Sequence, residues 1–385
     1  MKTSPSFISL IVFMAFTVVS TSCKKEEVLG KNKFVFGADL SYVNQILEHG
    51  GVYRDSGNIK DPYQIFADHG TDLVRLRLWH NPVWTREVYG ESGVKMYNDT
   101  EDVRIAIRRA KSAGMAVNLD FHYSDSWADP HQQVIPAAWK DLDYETMKDS
   151  VYQYTYKILQ SLDREGLMPE MVQIGNEINP GMLLPIGSYE DQGWAQLGGL
   201  INSGIRAVRD VSDESDIKTQ IILHVAQPEN VEFWFRGATT LGQVTDFDII
   251  GFSYYSKWSD VSLNQLSGYI EDFKEIFGKT VMVVETAYPW TGEGADQYNN
   301  IFGTGDAEPG YPLTQEGQFK YMVDLTRAIR EGGGMGIMVW EPAWITSHMK
   351  DLWNTGSAWE NCTFFDFLGN AIVGLDYPTA GRNAK

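Results

Sequence analysis

The chain has 385 residues, 51 of them acidic and 32 basic, for a formal net charge of −19. Such a surface repels nucleic acid, anionic membranes and polyanionic sugars, and a neutral substrate fits it best. Aromatic residues make up 13% of the chain, including 12 Trp. That exceeds what core filling usually requires, and flat indole rings are what the C–H faces of pyranose rings stack upon.

The chain starts with Lys2, an apolar stretch from Phe7 to Val19 and the small residues Ser20-Thr21-Ser22 ahead of Cys23. These are the charged, hydrophobic and cleavage regions of a secretory signal, so residues 1–22 are expected to be a signal peptide. A Cys after small residues resembles the lipobox of bacterial lipoproteins, although Ser20 replaces the Leu usual three positions upstream. Cys23 is then the lipidated mature N-terminus, and residues 23–32 are a solvated tether carrying Lys24-Lys25-Glu26-Glu27. The stretch is too short, and too polar at its end, for a permanent membrane span. The charged tether resembles the surface-export signals of some Gram-negative lipoproteins. The expectation is an exported lipoprotein at the outer membrane and cell surface, held to the membrane through its lipid alone. Once Cys23 is acylated only Cys362 remains, so no intrachain disulfide can form.

Eight short apolar runs follow, ending near Asp39, Trp79, His122, Asn176, His224, Tyr254, Glu285 and Trp340. Segments with helical periodicity separate them, over about 100–113, 144–164, 192–209, 263–277 and 315–330. In the first of these Asp99 or Thr100 caps the helix, Val103, Ala106, Ile107 and Ala110 form an apolar stripe, and Gly114 ends it. Alternating strands and helices imply parallel βα units. The expected architecture over residues 33–385 is therefore α/β, a single monomeric (β/α)8 TIM barrel whose long βα loops account for its excess over the typical ~250 residues.

Strand neighbours alternate in direction, so parity selects the inward face. Arg75, Arg77 and Trp79 share one face of the second strand, and Asn118, Asp120 and His122 share one face of the third. The opposite residues are apolar and belong under helices, which turns the polar face inward. Polar groups inside a barrel are costly unless paired. Their concentration near the strands' carboxyl ends therefore marks a site.

Two strand ends carry chemistry. Gln173-Ile174-Gly175-Asn176-Glu177-Ile178-Asn179 runs from a buried strand into a carboxylate, and Thr280-Val281-Met282-Val283-Val284-Glu285-Thr286 repeats the arrangement. Two strand-end glutamates are what glycoside hydrolysis needs, one acid to protonate the leaving oxygen and one carboxylate to attack the sugar or activate water. A rival reading takes His122, Asp125, Asp129 and His131 in the third loop as ligands of a metallohydrolase. Against it, the first strand ends Phe36-Gly37-Ala38-Asp39 and lacks the His pair such barrels place there. Without metal, Asp125 and Asp129 order the loop and His122 donates a hydrogen bond to sugar.

Several segments together carry a resemblance. They are Phe36-Gly37-Ala38-Asp39-Leu40-Ser41, Arg75-Leu76-Arg77-Leu78-Trp79, the third loop through Trp127-Ala128-Asp129-Pro130, Gln173 to Glu177, Ile249 to Tyr255, Val284 to Trp290, and Trp340-Glu341-Pro342-Ala343-Trp344. The chain from about 34 to 370 resembles the arabinogalactan endo-β-1,4-galactanases of glycoside hydrolase family 53. The resemblance implies endo-hydrolysis of neutral β-1,4-galactan and its oligosaccharides with retention. Glu177 is then the acid/base, its proton held by partial burial and the Glu285 charge, and Glu285 is the nucleophile, with the carboxylates about 5–5.5 Å apart. It further implies that Asn176 binds the sugar 2-hydroxyl, Arg77 keeps Glu285 ionised, and His224 and Tyr254 orient the glutamates. Trp340 floors the central subsite, Trp290, Trp127 and Trp344 are stacking platforms, and Asp39 joins the substrate-binding set. No cofactor is required for catalysis. Some bacterial members carry a calcium in the loops after strands seven and eight, and Glu293, Asp296, Asn299 and Asn300 are the candidate ligands here, against the plainer reading of a surface loop. Two alternatives stay open: a mannanase or cellulase of the same clan, and a surface glycan-binding lipoprotein.

Overall fold

The structure is a computed structural model, and it describes Met1 and residues 33–383. Cys23 and the expected signal peptide lie outside the described residues. Eight parallel strands close into a barrel. They are β1 (Val35–Asp39), β2 (Leu73–Leu78), β3 (Ala116–Phe121), β4 (Met171–Ile174), β5 (Gln220–Ala226), β6 (Ile249–Ser253), β7 (Thr280–Glu285) and β8 (Gly336–Val339). Each pairs with its neighbours in sequence, and β8 closes on β1 through Val35 opposite Gly336. Helices follow the strands in turn: α1 (Pro62–Asp68), α2 (Thr100–Ser112), α3 (Tyr144–Arg164), α4 (Trp194–Glu214), α5 (Pro228–Arg236), α6 (Leu263–Phe277), α7 (Gln315–Glu331) and α8 (Tyr377–Asn383). This is the expected TIM barrel. Among the described residues no helix is long and apolar enough to cross a membrane.

The helix starts follow from capping chemistry. Asp99 accepts from the backbone N–H of Asp102 at 2.9 Å to open α2, and Asp143 accepts from that of Thr146 at 2.8 Å to open α3. Sequence periodicity places α3 and α6 at their observed bounds, and it opens α4 two residues early and closes it five residues early. It passes over α1, α5 and α8, which are too short for periodicity to speak.

The barrel interior is layered. At its amino-terminal end Leu73, Ala116, Met171, Ile222, Ile249 and Met338 form a separate buried apolar cluster. Above it the same inward faces turn polar, with Arg75 and Arg77 on β2, Asp120 on β3, Gln173 on β4, His224 on β5 and Ser253 on β6, all essentially inaccessible to solvent. The apolar plug supports the polar layer from beneath.

One irregularity aims a key side chain. Met282 and Val284 of β7 lie in the interior cluster, so strict alternation sends Glu285 outward. The pairing of β6 with β7 instead shifts register after Phe252, so that Ser253 faces Glu285 and skips Val284. This bulge turns Glu285 into the barrel mouth.

Candidate active site

After β4 the chain turns sharply. Gly175 has φ +79°, and a Cβ there would lie 2.6 Å from Ile178 Cγ2, so only glycine fits. Glu177 then takes φ +44°, left-handed for a non-glycine residue. Such strain persists only where the surroundings fix it, and it gathers at functional sites. Gln133 fixes this turn from the third loop, donating through Nε2 to the carbonyls of Asn176 at 2.8 Å and Glu177 at 3.2 Å.

Arg75 is the hub. Its Nη1 lies 2.8 Å from Glu285 Oε1 and 2.9 Å from Asp39 Oδ2, and its Nη2 donates to Asp120 Oδ2 and to Asn176 Oδ1, both at 2.7 Å. Tyr255 Oη donates to the other oxygen of Glu285 at 3.1 Å. Glu177 receives a 2.5 Å hydrogen bond on Oε1 from Ser253 Oγ, and His224 Nε2 stands 2.9 Å behind that hydroxyl.

The charges explain the protonation. Asp39, Asp120, Glu177, Glu285 and Glu341 face two guanidiniums, those of Arg75 and Arg77, so the mouth keeps protons on some of its acids. Burial first, and the Glu285 charge second, raise Glu177 to about 8. Burial raises Glu285 less, to about 7, because Arg75 opposes it. Two environments thus separate two carboxyls, with the proton favouring Glu177.

Several expectations need correction. The guanidinium on Glu285 belongs to Arg75. Arg77 sits higher, pairs with the buried Glu341 at 3.1 Å and lies 4.2–4.7 Å from the ring centroids of Tyr42, Trp79 and Trp127. Tyr254 points away, donating to the Val261 carbonyl at 3.0 Å, and Tyr255 takes the place expected of it. His224 reaches Glu177 through Ser253 and through the Glu177 backbone N–H at 3.4 Å. His122 is buried with both ring nitrogens engaged, Nδ1 by Trp79 Nε1 at 3.3 Å and Nε2 by Asp120 at 3.0 Å, so neither is free for sugar. Trp344 is only 3% exposed and donates to the Gly356 carbonyl, which makes it core. Asp39 is likewise enclosed, and it supports Arg75.

Asn176 lies beside Glu177 with Nδ2 on the Ala128 carbonyl at 2.8 Å. Trp127 and Trp340 are partly exposed with centroids 6.0 Å apart, and Trp359 braces Trp340 edge-on at 4.7 Å. Trp353, 62% exposed, extends this wall from the loop after β8, 6.5 Å from Trp127. Trp290 lies apart from that group, its ring 4.8 Å from Phe367. Ser253, Tyr255 and Glu341 were missed. Parity offered the signal for the first two, since Gly251, Ser253 and Tyr255 continue one inward face.

The His122, Asp125, Asp129 and His131 set does not assemble. Among the described residues no group of three or more His, Cys, Asp or Glu is placed to hold an ion. Asp125 accepts from the backbone of Asn81 and Ala137, and Asp129 from that of His131 and Gln132. In the loop after β7, Asp296 is spent on Tyr298 N, Thr346 Oγ1 and Ser357 N, while Glu293 and Asn299 are exposed. In the same segment Asn300 Oδ1 is buried without a hydrogen-bond partner among the described residues.

A TIM barrel with a proton-bearing glutamate after β4 and an arginine-held glutamate ending β7 defines a glycosidase of the two-carboxylate kind. Sequence comparison makes the class specific: the profile of glycosyl hydrolase family 53 matches residues 35–377, and the chain belongs to that family. It is 43% identical to the arabinogalactan endo-β-1,4-galactanase of Cellvibrio japonicus, over 92% of each chain. It is 35% identical to the endo-β-1,4-galactanase of Bacillus subtilis, over 94% of this chain and 90% of the relative. Among solved structures, the GH53 catalytic domain of Ignisphaera aggregans superposes with a TM-score of 0.81 at 34% identity, covering 93% of this chain and 98% of that one.

Proposed function

We propose that the protein is an endo-β-1,4-galactanase, cleaving galactan and type I arabinogalactan and the galactooligosaccharides derived from them with retention of configuration. The observation that carries the reading is the pairing of a Ser253-bonded, proton-bearing Glu177 with an Arg75-held Glu285 in a family 53 barrel. Glu285 attacks the anomeric carbon as Glu177 gives its proton to the leaving oxygen. The glycosyl-enzyme is then opened by a water that Glu177 deprotonates. Trp127 and Trp340 offer apolar faces to the sugars, and the second Nδ2 hydrogen of Asn176 serves a sugar hydroxyl. The protein's own carboxyls supply all the acid and base chemistry, and no cofactor is needed.

The test is the product pattern on β-1,4-galactan beside mannan and cellulose. Galactooligosaccharides of several lengths from galactan alone are expected, whereas equal release from mannan or cellulose would sink the substrate assignment. Glu285→Ala should lose several orders of magnitude in activity and recover in azide, giving a glycosyl azide of inverted configuration. Glu177→Ala should retain attack on an aryl galactoside with a good leaving group, and azide should rescue it with retention. The opposite pattern would exchange the two roles.

We further propose, from the segment Lys2 to Cys23 alone, that the enzyme is acylated on Cys23 and held at the outer membrane. Cys23→Ala should release it from the membrane fraction or leave an unprocessed precursor. A mature-sized, lipid-labelled mutant still in the membrane would refute the anchor.

A further inference from the structure

Ser253, the last residue of β6, is fully buried, and its hydroxyl lies between Glu177 Oε1 at 2.5 Å and His224 Nε2 at 2.9 Å. One fixed donor sets the direction of this chain. The Glu177 backbone N–H, whose hydrogen cannot be reassigned, points at His224 Nδ1 at 3.4 Å, while Gln173 Nε2, 3.1 Å from the same atom, makes its shortest bond to Asp120 Oδ1 at 2.8 Å. A ring nitrogen that accepts from a backbone N–H carries no hydrogen of its own. Asn176 Oδ1, 3.0 Å from Nδ1, takes a 2.7 Å hydrogen bond from Arg75 Nη2 instead. His224 is fully buried, and burial followed by the Arg75 charge keeps it neutral, so its one proton sits on Nε2. Nε2–H then donates to Ser253 Oγ, and the single hydroxyl hydrogen of Ser253 goes to Glu177 Oε1.

Oε1 therefore accepts a hydrogen bond whether or not Glu177 is protonated. We propose that Ser253, polarised by His224, is a positioning residue that confines the transferable proton of Glu177 to Oε2 and stabilises the carboxylate left when that proton departs. The inference rests on Glu177 being the acid/base. In the step, the Oε2–H bond breaks, the proton moves to the glycosidic oxygen as its bond to the anomeric carbon breaks, and Ser253 keeps its own hydrogen. The other groups acting on Glu177 are Glu285 from β7, Asp129 from the loop after β3 and Arg75 from β2, with Tyr255 beside it. None of them bonds to Oε1.

The test is the pH profile of kcat/KM for Ser253→Ala and Ser253→Cys, whose thiol is nearly isosteric but a weak donor. Loss of a donor to the carboxylate raises the pKa of Glu177, so the alkaline limb on galactan should move up by about one pH unit in both variants. The plateau should fall by about tenfold, since part of the acid effect is lost with the proton free to sit on either oxygen. On an aryl β-1,4-galactobioside with an activated leaving group, which needs no acid, kcat/KM should stay within about twofold. A limb that stays in place or moves down in variants that melt like the wild type overturns the proposal, as does an equal loss on both substrates. A wild type inactive on galactan would instead overturn the substrate reading, and the limb would then be read on whichever glycan it cleaves.

Discussion

Arg75 and Arg77 are both buried in the barrel mouth, yet their loss should read differently. Arg75 is shared by Asp39, Asp120 and Glu285. Arg75→Met leaves three carboxylates without their cation, and breaking a buried pair typically costs about 3–5 kcal/mol. It also removes the group that keeps Glu285 ionised, so kcat on galactan should drop by at least about a hundredfold, as for a transition-state electrostatic partner. Arg77→Met uncovers only Glu341, whose carboxyl burial already pushes up to about 8 and which can hold a proton instead. The guanidinium between Tyr42, Trp79 and Trp127 is lost with it. Its effect should fall on KM, through the Trp127 wall, more than on kcat. Urea unfolding and steady-state kinetics of the two variants separate these outcomes, and equal kcat losses would contradict the assignment. Parity identified both arginines as inward without saying which sits level with Glu285. That depends on the heights at which neighbouring side chains meet, and Arg75 reaches Asp39 and Glu285 only because β1 and β7 end where they do. The glutamate-bonded hydroxyl is a different case, because parity does separate outward Tyr254 from inward Tyr255.

At the scale of elements, β6 and β7 set the geometry of Glu285. Gly251 lies inward on β6, where a Cβ would come within 2.7 Å of Ile222 Cγ2 and 3.1 Å of Val284 Cγ1. Gly251→Ala overpacks the interior directly beneath the bulge, which should cost about 1–3 kcal/mol and displace Val284. Because the bulge aims Glu285, activity should fall even at temperatures where the variant remains folded, a combination checked by thermal unfolding alongside assays well below the midpoint. A variant destabilised but fully active would separate the bulge from catalysis. The strands themselves were legible because each is a short β-branched or apolar run closed by a polar or aromatic residue, and the long helices because their stripes repeat over three turns or more. The bulge was not, since its cause is the fit of Val284 among interior residues from other strands. Nor was α5, nine residues long, whose Val231, Trp234 and Phe235 find their burial only in the assembled barrel. For α1 a signal was present and unused, because Asp61 caps it and Pro62 opens it.

For the whole molecule, the carboxyls of the barrel mouth couple activity to stability through pH. On the proposed roles, catalysis needs Glu285 ionised and Glu177 protonated. The acid limb of kcat/KM therefore follows protonation of the lower site near 7 and the alkaline limb follows proton loss from the higher site near 8, both values belonging to the pair. In the unfolded chain a glutamate titrates near ~4.3. Glu177, Glu285 and Glu341 all bind a proton more tightly when folded, so what they contribute to stability is fully present below that value and is lost as pH rises through their folded values. His122 and His224 act with the opposite sign, their folded pKa values being depressed by burial, and remove stability as pH falls below about 6.5. Absolute melting temperatures mix these contributions, whereas the difference between a variant and the wild type isolates one. Glu177→Gln keeps the shape of the side chain and removes its titration, so its melting temperature relative to the wild type should climb steadily between pH 5 and 8 while its activity on galactan is lost. Differential scanning at constant ionic strength measures this directly. A difference that is flat or shrinking with pH would mean that Glu177 is already ionised in the free enzyme, and that its proton is acquired only when sugar fills the cleft.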